Sequence, residues 1–450
     1  MTVQGRSAQP AVLPRLAQAL VQSFQQPDIR KRLMFTFFIL VVFRFVAHVP
    51  IPGVNSTALS EAFKGNAILN YLNLFSGGAL RRLSVASMGV YPYITATIVM
   101  QLLIPIVPSL QALSKEGEQG RNKITLYTYW LAVPLAVVQG YSQLLILQRA
   151  SAGQQAVISH IGLTGPDALP TIAALVSMTA GTMFLVWLGE LITENGIGNG
   201  ISLIIFGGIV AGMPLYLPNI VNSSLGLAGI GILVLLILLL VALIVFFYEA
   251  QRRVPVQYAR SLFRGGRMYR QSGQTHIPLR VNSAGMIPLI FAYALVMFPA
   301  QMAQAFESST TTVIHNTAKF IAGTLSPGNV PYYAVVFFLV VGFAFFYTLG
   351  VFQQQNLAEN LQRQGGFVPG IRPGRPTQDY IIRVLVRITW AGAIFLGFVA
   401  IVPYFATKFA NTQALTISST GLLIVVGVVL DTMKQLEAQL LMRNYAGFIR

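Results

Sequence analysis

One stretch limits the fold before any other feature does. From Gly229 to Tyr248 the chain reads GIGILVLLILLLVALIVFFY, 20 residues without a charge. Crossing the ~30 Å of a bilayer's hydrocarbon takes about 20 apolar residues in a helix. Inside lipid the backbone must satisfy its own hydrogen bonds, so only helices and closed barrels span. The alternating pattern of a barrel strand is absent. Apolar stretches recur along the chain, giving ten candidate spans at roughly 33–48, 88–107, 124–147, 171–192, 197–217, 229–248, 284–302, 333–351, 384–404 and 415–431. The fold class that follows is an all-α polytopic membrane protein with ten transmembrane helices. Composition agrees: 10% of residues are charged, against about 25% in a soluble protein.

The basic residues orient these spans. With the N-terminus in the cytoplasm, 22 of the 30 Lys and Arg residues fall in cytoplasmic segments, 6 in external ones, and Arg44 and Arg387 within spans. Cytoplasmic loops gather Lys and Arg, so both termini are expected in the cytoplasm. The same bias accounts for most of the +17 net charge without nucleic acid. Met1 to Asp28 lacks the apolar core of a cleavable signal peptide, and the chain has no cysteine, which excludes disulfides and thiol chemistry. Two cytoplasmic loops carry more charge than orientation needs. Loop 251–281 has seven arginines and no acid, and loop 352–383 sets its charges among Gly365, Gly366, Pro369, Gly370, Pro373 and Pro376. Such loops read as docking surfaces for an acidic protein or for RNA.

Catalytic chemistry is hard to place. His48, His160, His276 and His315 lie in loops or at span ends, and none pairs with a Ser or an acid at midplane to build a triad. No cluster has metal-ligand spacing, and no Walker A motif is present, so an ATP-driven step must come from a partner. The reading therefore calls for no cofactor and no enzymatic activity. A polytopic secondary transporter of a small solute is the alternative; it shares broken helices but usually keeps ionisable groups near the midplane. No span here carries a clear midplane acid. Glu190 lies near the cytoplasmic end of the fourth span, and Arg44, near the outer end of the first, is expected to snorkel.

The segment YLNLFSGGALRRLSVASMG, Tyr71 to Gly89, is the odd one. It is a half-length apolar run, two glycines and two arginines placed directly before a span. Arginines are costly against lipid and tolerable beside water, which points to a re-entrant stretch.

Five motifs then carry a resemblance: HVPIPG (His48 to Gly53), FSGGAL (Phe75 to Leu80), GTMFLVWLGELITENGIGNGIS (Gly181 to Ser202), QRRVPVQYAR (Gln251 to Arg260) and GGFVPGIRPG (Gly365 to Gly374). In this order among ten spans, from about Arg30 to Tyr445, they resemble the SecY family, the central subunit of the bacterial protein-conducting channel. The resemblance implies two pseudo-symmetric inverted halves around a pore, spans 1–5 over 33–217 and spans 6–10 over 229–432. It implies an external hinge at 218–228, a cytoplasmic N-terminal segment 1–32 and a tail 433–450. The re-entrant stretch, about 66–84, becomes a plug that includes Asn70, Leu74, Phe75, Gly77 and Gly78. It is expected to add little to helix packing.

By motif position the resemblance places a pore ring at Val90, Ile94, Ile205, Ile290 and Ile424. Such apolar constrictions gate by dewetting. Spans 2 and 3 against 7 and 8 would form a lateral gate, with Gln101 and Asn282 at its polar positions. Arg252, Arg253 and Arg372 would dock the SecA ATPase or a translating ribosome, including ribosomal RNA. The family further implies SecE, SecG, signal sequences, nascent polypeptides and membrane lipid as partners. The implied activity is translocation of unfolded secretory chains, with lateral release of hydrophobic segments into lipid. The implied location is the bacterial inner membrane, or a thylakoid in a photosynthetic source.

Overall fold

A helix stands on each of the ten stretches. The computed structural model describes residues 26–51, 54–63, 69–70, 72–73, 76–150, 157, 161–162, 165–215, 226–264, 267–307, 311–326, 329–354, 357–410 and 413–446. The expected hinge loop lies mostly outside them. Span 1 is α1 (Pro27–Val46), with proline in its first turn, where a missing N–H costs nothing. A short α2 (Ser56–Ala62) follows. Span 2 is α3 (Tyr91–Leu103), shorter than expected. Around Pro105 and Pro108 the chain turns by 98° into α4 (Pro108–Lys115). Spans 3, 4 and 5 are α5 (Glu118–Ala150), α6 (Ala168–Asn195) and α7 (Gly200–Gly212).

Span 6 is α8 (Gly226–Glu249), and span 7 is α9 (Ile287–Phe306). After α10 (Thr312–Thr324) come span 8, α11 (Val330–Gln354), and a short α12 (Leu357–Arg363). Spans 9 and 10 are α13 (Arg375–Ala410) and α14 (Gln413–Ala446). Among the described residues, α5, α6, α9, α11 and α13 are each long and apolar enough to cross a membrane alone. Phe37, Phe38, Phe45, Leu235, Leu238, Leu239 and Phe246 are exposed. That outward apolar belt suits lipid, and the protein is embedded in a membrane.

The helix contacts repeat. Spans 2–3, 3–4, 4–5 and 1–5 touch in the first half; the same contacts, shifted by five, are 7–8, 8–9, 9–10 and 6–10. Two seams join the halves. Spans 2 and 3 meet span 7 along one, and span 5 meets span 10 along the other.

Loop 251–281 is where the structure adds to the helical reading. It is a β-hairpin, β1 (Gln251–Arg264) against β2 (Arg267–Arg280), antiparallel from Gln251↔Arg280 to Arg264↔Arg267. A two-residue β3 (Gly366–Phe367) from the other basic loop pairs with β1 at Gln257 and Tyr258. The local cause is a period of two: Val254 and Val256 point inward between exposed Arg253 and Pro255. Val254, Val256 and Leu279 share a small core with Leu361, Val368, Ile381 and Leu385. The two basic loops are one module.

Candidate functional site

The five expected ring residues come from both halves. Ile94 rides on α3, with Val90 capping its start; Ile205 is on α7, Ile290 on α9 and Ile424 on α14. Their exposures run from 0 to 6%, and all five lie in one continuous apolar cluster. All five side chains are apolar, the chemistry an apolar constriction requires.

The stretch before span 2 is stacked on that cluster. Leu69, Leu72, Leu80 and Leu83 belong to it, each nearly or wholly buried. The expectation that this segment adds little to packing is therefore overturned. Asn70 is buried and donates its Nδ2 to Phe63 O at 3.1 Å. Leu74 and Phe75 lie outside the described residues. Gly77 and Gly78 both take positive φ, +67° and +85°, which a side chain would strain. Asn73 O receives Gly78 N at 2.9 Å, and Asn73 Oδ1 receives Arg81 N at 3.1 Å, closing a tight turn. The HVPIPG motif anchors the far side: Ile51 N donates to Leu83 O, and Val85 N to Val49 O, both at 3.0 Å. Arg44 does not snorkel. Its guanidinium donates to Gly77 O at 2.7 Å.

Two side-chain hydrogen bonds stitch the seam of spans 2 and 3 against span 7. Tyr91 Oη donates to Ala294 O at 3.0 Å, and Gln301 Nε2 to Gln139 O at 3.1 Å. Ser142 Oγ donates to Val138 O of its own helix at 2.8 Å and touches Met302 Sδ at 3.5 Å, and within the first half Gln139 Nε2 donates to Thr95 Oγ1 at 3.2 Å. Gln139 and Gln301 are almost fully buried, and the Oε1 of each lacks a donor. The two amides singled out in the sequence sit elsewhere. Gln101 is half-buried near the end of α3. Asn282 is buried beside a cavity of about 160 Å³ lined by Tyr248, Arg280, Tyr347, Asp431 and Lys434. Sequence reasoning missed Gln139 and Gln301; the available signal was an amide deep inside an apolar span.

The basic module presents its arginines outward. Arg252 and Arg253 are exposed at the start of β1. Arg372 is exposed at a bend between Gly370 and Gly374, both at positive φ, and its carbonyl accepts from Thr377 Oγ1 at 2.8 Å. The structure thus brings Arg252, Arg253 and Arg372 onto one sheet-centred unit. The GIGNGIS stretch proves structural: Asn199 caps α7 by accepting from Ser202 N. A Cβ on Gly200 would stand 1.8 Å from Gly189 O, so spans 4 and 5 cross on glycine.

This arrangement of helices has relatives among known proteins. The sequence profile of the SecY family matches residues 84–433. The chain belongs to the SecY family. The protein translocase subunit SecY of Streptomyces scabiei is 42% identical over 441 residues, covering 96% of this chain and 99% of that protein. The SecY subunit of Halalkalibacterium halodurans is 43% identical over 438 residues, covering 95% and 98%. Among solved structures, a protein-conducting channel superposes with a TM-score of 0.60 at 16% identity, covering 93% of this chain and 96% of that one. Sec61 in a canine ribosome–channel complex gives 0.56 at 15% identity, with the same coverage. This SecY-family chain is a membrane-embedded protein-conducting channel, and the small-solute transporter reading is not favoured.

Proposed function

We propose that this chain conducts unfolded secretory polypeptides across a bacterial cell membrane, with both termini in the cytoplasm, and releases hydrophobic segments sideways into lipid. One observation supports the reading: buried residues of spans 2, 5, 7 and 10 belong to one continuous apolar cluster, and leucines of the segment before span 2 belong to it too. The ring, Val90, Ile94, Ile205, Ile290 and Ile424, fits around a moving chain and dewets when empty. Residues 66–84 serve as the plug. The stitched seam serves as the lateral gate; Gln101, near the end of span 2, and Asn282, just before span 7, lie outside the stitches themselves.

The basic module is the docking surface. Sec61, a structural neighbour, sits in a ribosome–channel complex, and a second neighbour is bound to a yeast ribosome. Exposed Arg252, Arg253 and Arg372 suit ribosomal RNA phosphates or acidic groups on SecA. SecE and SecG are the expected small membrane subunits. The test is planar-bilayer conductance of the purified complex. Replacing Ile94, Ile205 and Ile290 by glycine should produce a resting ion leak, because the widened waist holds water. A triple variant as tight as the parent would remove the ring from the mechanism.

A further inference from the structure

We infer that Arg44, Gly77 and Gly208 form a clasp that holds the plug on the pore wall, with Arg44 as a positioning residue for channel closure. The inference rests on reading 66–84 as the plug.

Three observations converge on Gly77. Its carbonyl accepts from the Arg44 guanidinium at 2.7 Å, a contact between residues 33 apart in the chain. Its Cα lies against Gly208 on α7: a Cβ built on Gly77 would stand 2.5 Å from Gly208 Cα, and one built on Gly208 would stand 2.5 Å from Gly77 Cα. The third wall is Phe43, the neighbour of Arg44, whose Cζ would be 3.1 Å from that Gly77 Cβ. Gly78 sharpens the assignment. It also has positive φ, yet a Cβ there would meet nothing within 4 Å. Gly78 serves the turn alone, whereas Gly77 serves the turn and the seat.

The seat ties two closures together. Gly208 follows Ile205 by three residues on α7, so the plug rests on the same helix face that supplies a ring side chain. Any displacement of span 5 that widens the ring also withdraws the plug's support. The chemistry of the hold makes it reversible. Arg44 grips a neutral carbonyl rather than a carboxylate, and Arg82 stands near enough to repel it. A charge-assisted hydrogen bond of this kind is stronger than a neutral one and far weaker than the chain's total packing.

The natural chain has no cysteine, so Ser84→Cys supplies a reporter at a fully buried position of the plug whose hydroxyl makes no hydrogen bond. The complex is reconstituted, and two quantities are read: resting conductance, and labelling of the introduced thiol by a membrane-impermeant maleimide from the plug side. Arg44→Ala and Gly208→Ala should each raise both by about tenfold, equivalent to ~1.4 kcal/mol of lost closure. Gly207→Ala should change neither, since its Cβ meets only the tip of the Leu40 side chain. Arg44→Lys should fall between, keeping a donor with shorter reach. Deleting 66–78 separates the two readings. If the deletion leaks while Arg44→Ala and Gly208→Ala stay tight and protected, the clasp is wrong and the plug stands. If the deletion itself stays tight, the plug reading falls first.

Discussion

Where spans 2 and 3 meet span 7, the halves are joined by hydrogen bonds from Tyr91 to Ala294 O and from Gln301 to Gln139 O, with Ser142 and Met302 in contact beside them. Where span 5 meets span 10, the described contacts are apolar. Ile205 and Leu203 on α7 share a buried apolar cluster with Ile424 and Val428 on α14, and Ile197 packs with Leu436 and Leu440. Thr432 spends its hydroxyl within its own helix, on Val428 O. In lipid, apolar helices gain nothing by hiding from water, so such a seam is held by shape and van der Waals contact. A hydrogen-bonded seam is different. Its bonds are exchangeable, because a peptide entering hydrocarbon brings N–H and C=O groups that must be paired. The stitched seam can trade its contacts for a substrate's; the apolar seam has nothing to trade, which suits the hinge side of the proposed channel.

Cross-linking tests that contrast most severely. Ser142→Cys with Met302→Cys spans the stitched seam, and Leu203→Cys with Thr432→Cys spans the apolar one. Gly198 lies close to both Leu203 and Thr432, which brackets the second pair. A short cleavable bis-maleimide in the first pair should abolish translocation and membrane insertion, with recovery on cleavage. The same reagent in the second pair should leave most activity. Equal loss from both bridges would erase the distinction between gate and hinge.

How much of this was readable beforehand depends on what enforces each feature. The ten spans were legible because a bilayer demands unbroken apolar length, and stretches such as 229–248 supply it directly. Positive φ at Gly77 and Gly78 fulfils the expected bend. The hairpin was hidden, since its period of two rests on Val254, Val256 and Leu279 scattered among seven arginines. Charge dominated the reading of that loop and suggested a surface without a core. The stitching amides were missed for another reason. An amide such as Gln139 looks the same in the sequence whether it bridges halves or fills its own helix; only the packing of span 7 on span 3 distinguishes them. Arg44 shows the same limit, because its partner is a backbone carbonyl that no residue type announces.

A milder perturbation is Gln301→Leu. It removes the donor to Gln139 O and also the buried, unpaired Oε1 of Gln301, while keeping an apolar shape. Hydrogen bonds between membrane helices contribute roughly 0.6 to 1.7 kcal/mol, so the gate's closed-to-open ratio should fall severalfold. The measurement is translocation of a precursor with a shortened hydrophobic signal, which should rise, while a precursor with a full signal should change little. Loss of transport for both would mean that Gln301 supports the fold rather than the latch.

The smallest expected effect belongs to Tyr91→Phe, and it is the most discriminating. Tyr91 begins α3, one residue after Val90 of the ring, and its hydroxyl reaches across to Ala294 O on span 7. Removing one oxygen keeps the ring's packing and deletes one bond across the seam. The orphaned carbonyl belongs to the helical backbone of α9, so little desolvation cost is left behind. About 1 kcal/mol is at stake, and the weak-signal precursor should gain about threefold to fivefold in rate. Resting conductance should stay at the parent level, because Val90 and the other ring residues are untouched. Were the leak to rise and the precursor gain to be absent, Tyr91 would belong to the waist seal and not to the gate. Combining Tyr91→Phe with Gln301→Leu settles whether the stitches act as one latch. Independent bonds should multiply their separate gains, whereas a single latch already released by Gln301→Leu should gain nothing more from Tyr91→Phe.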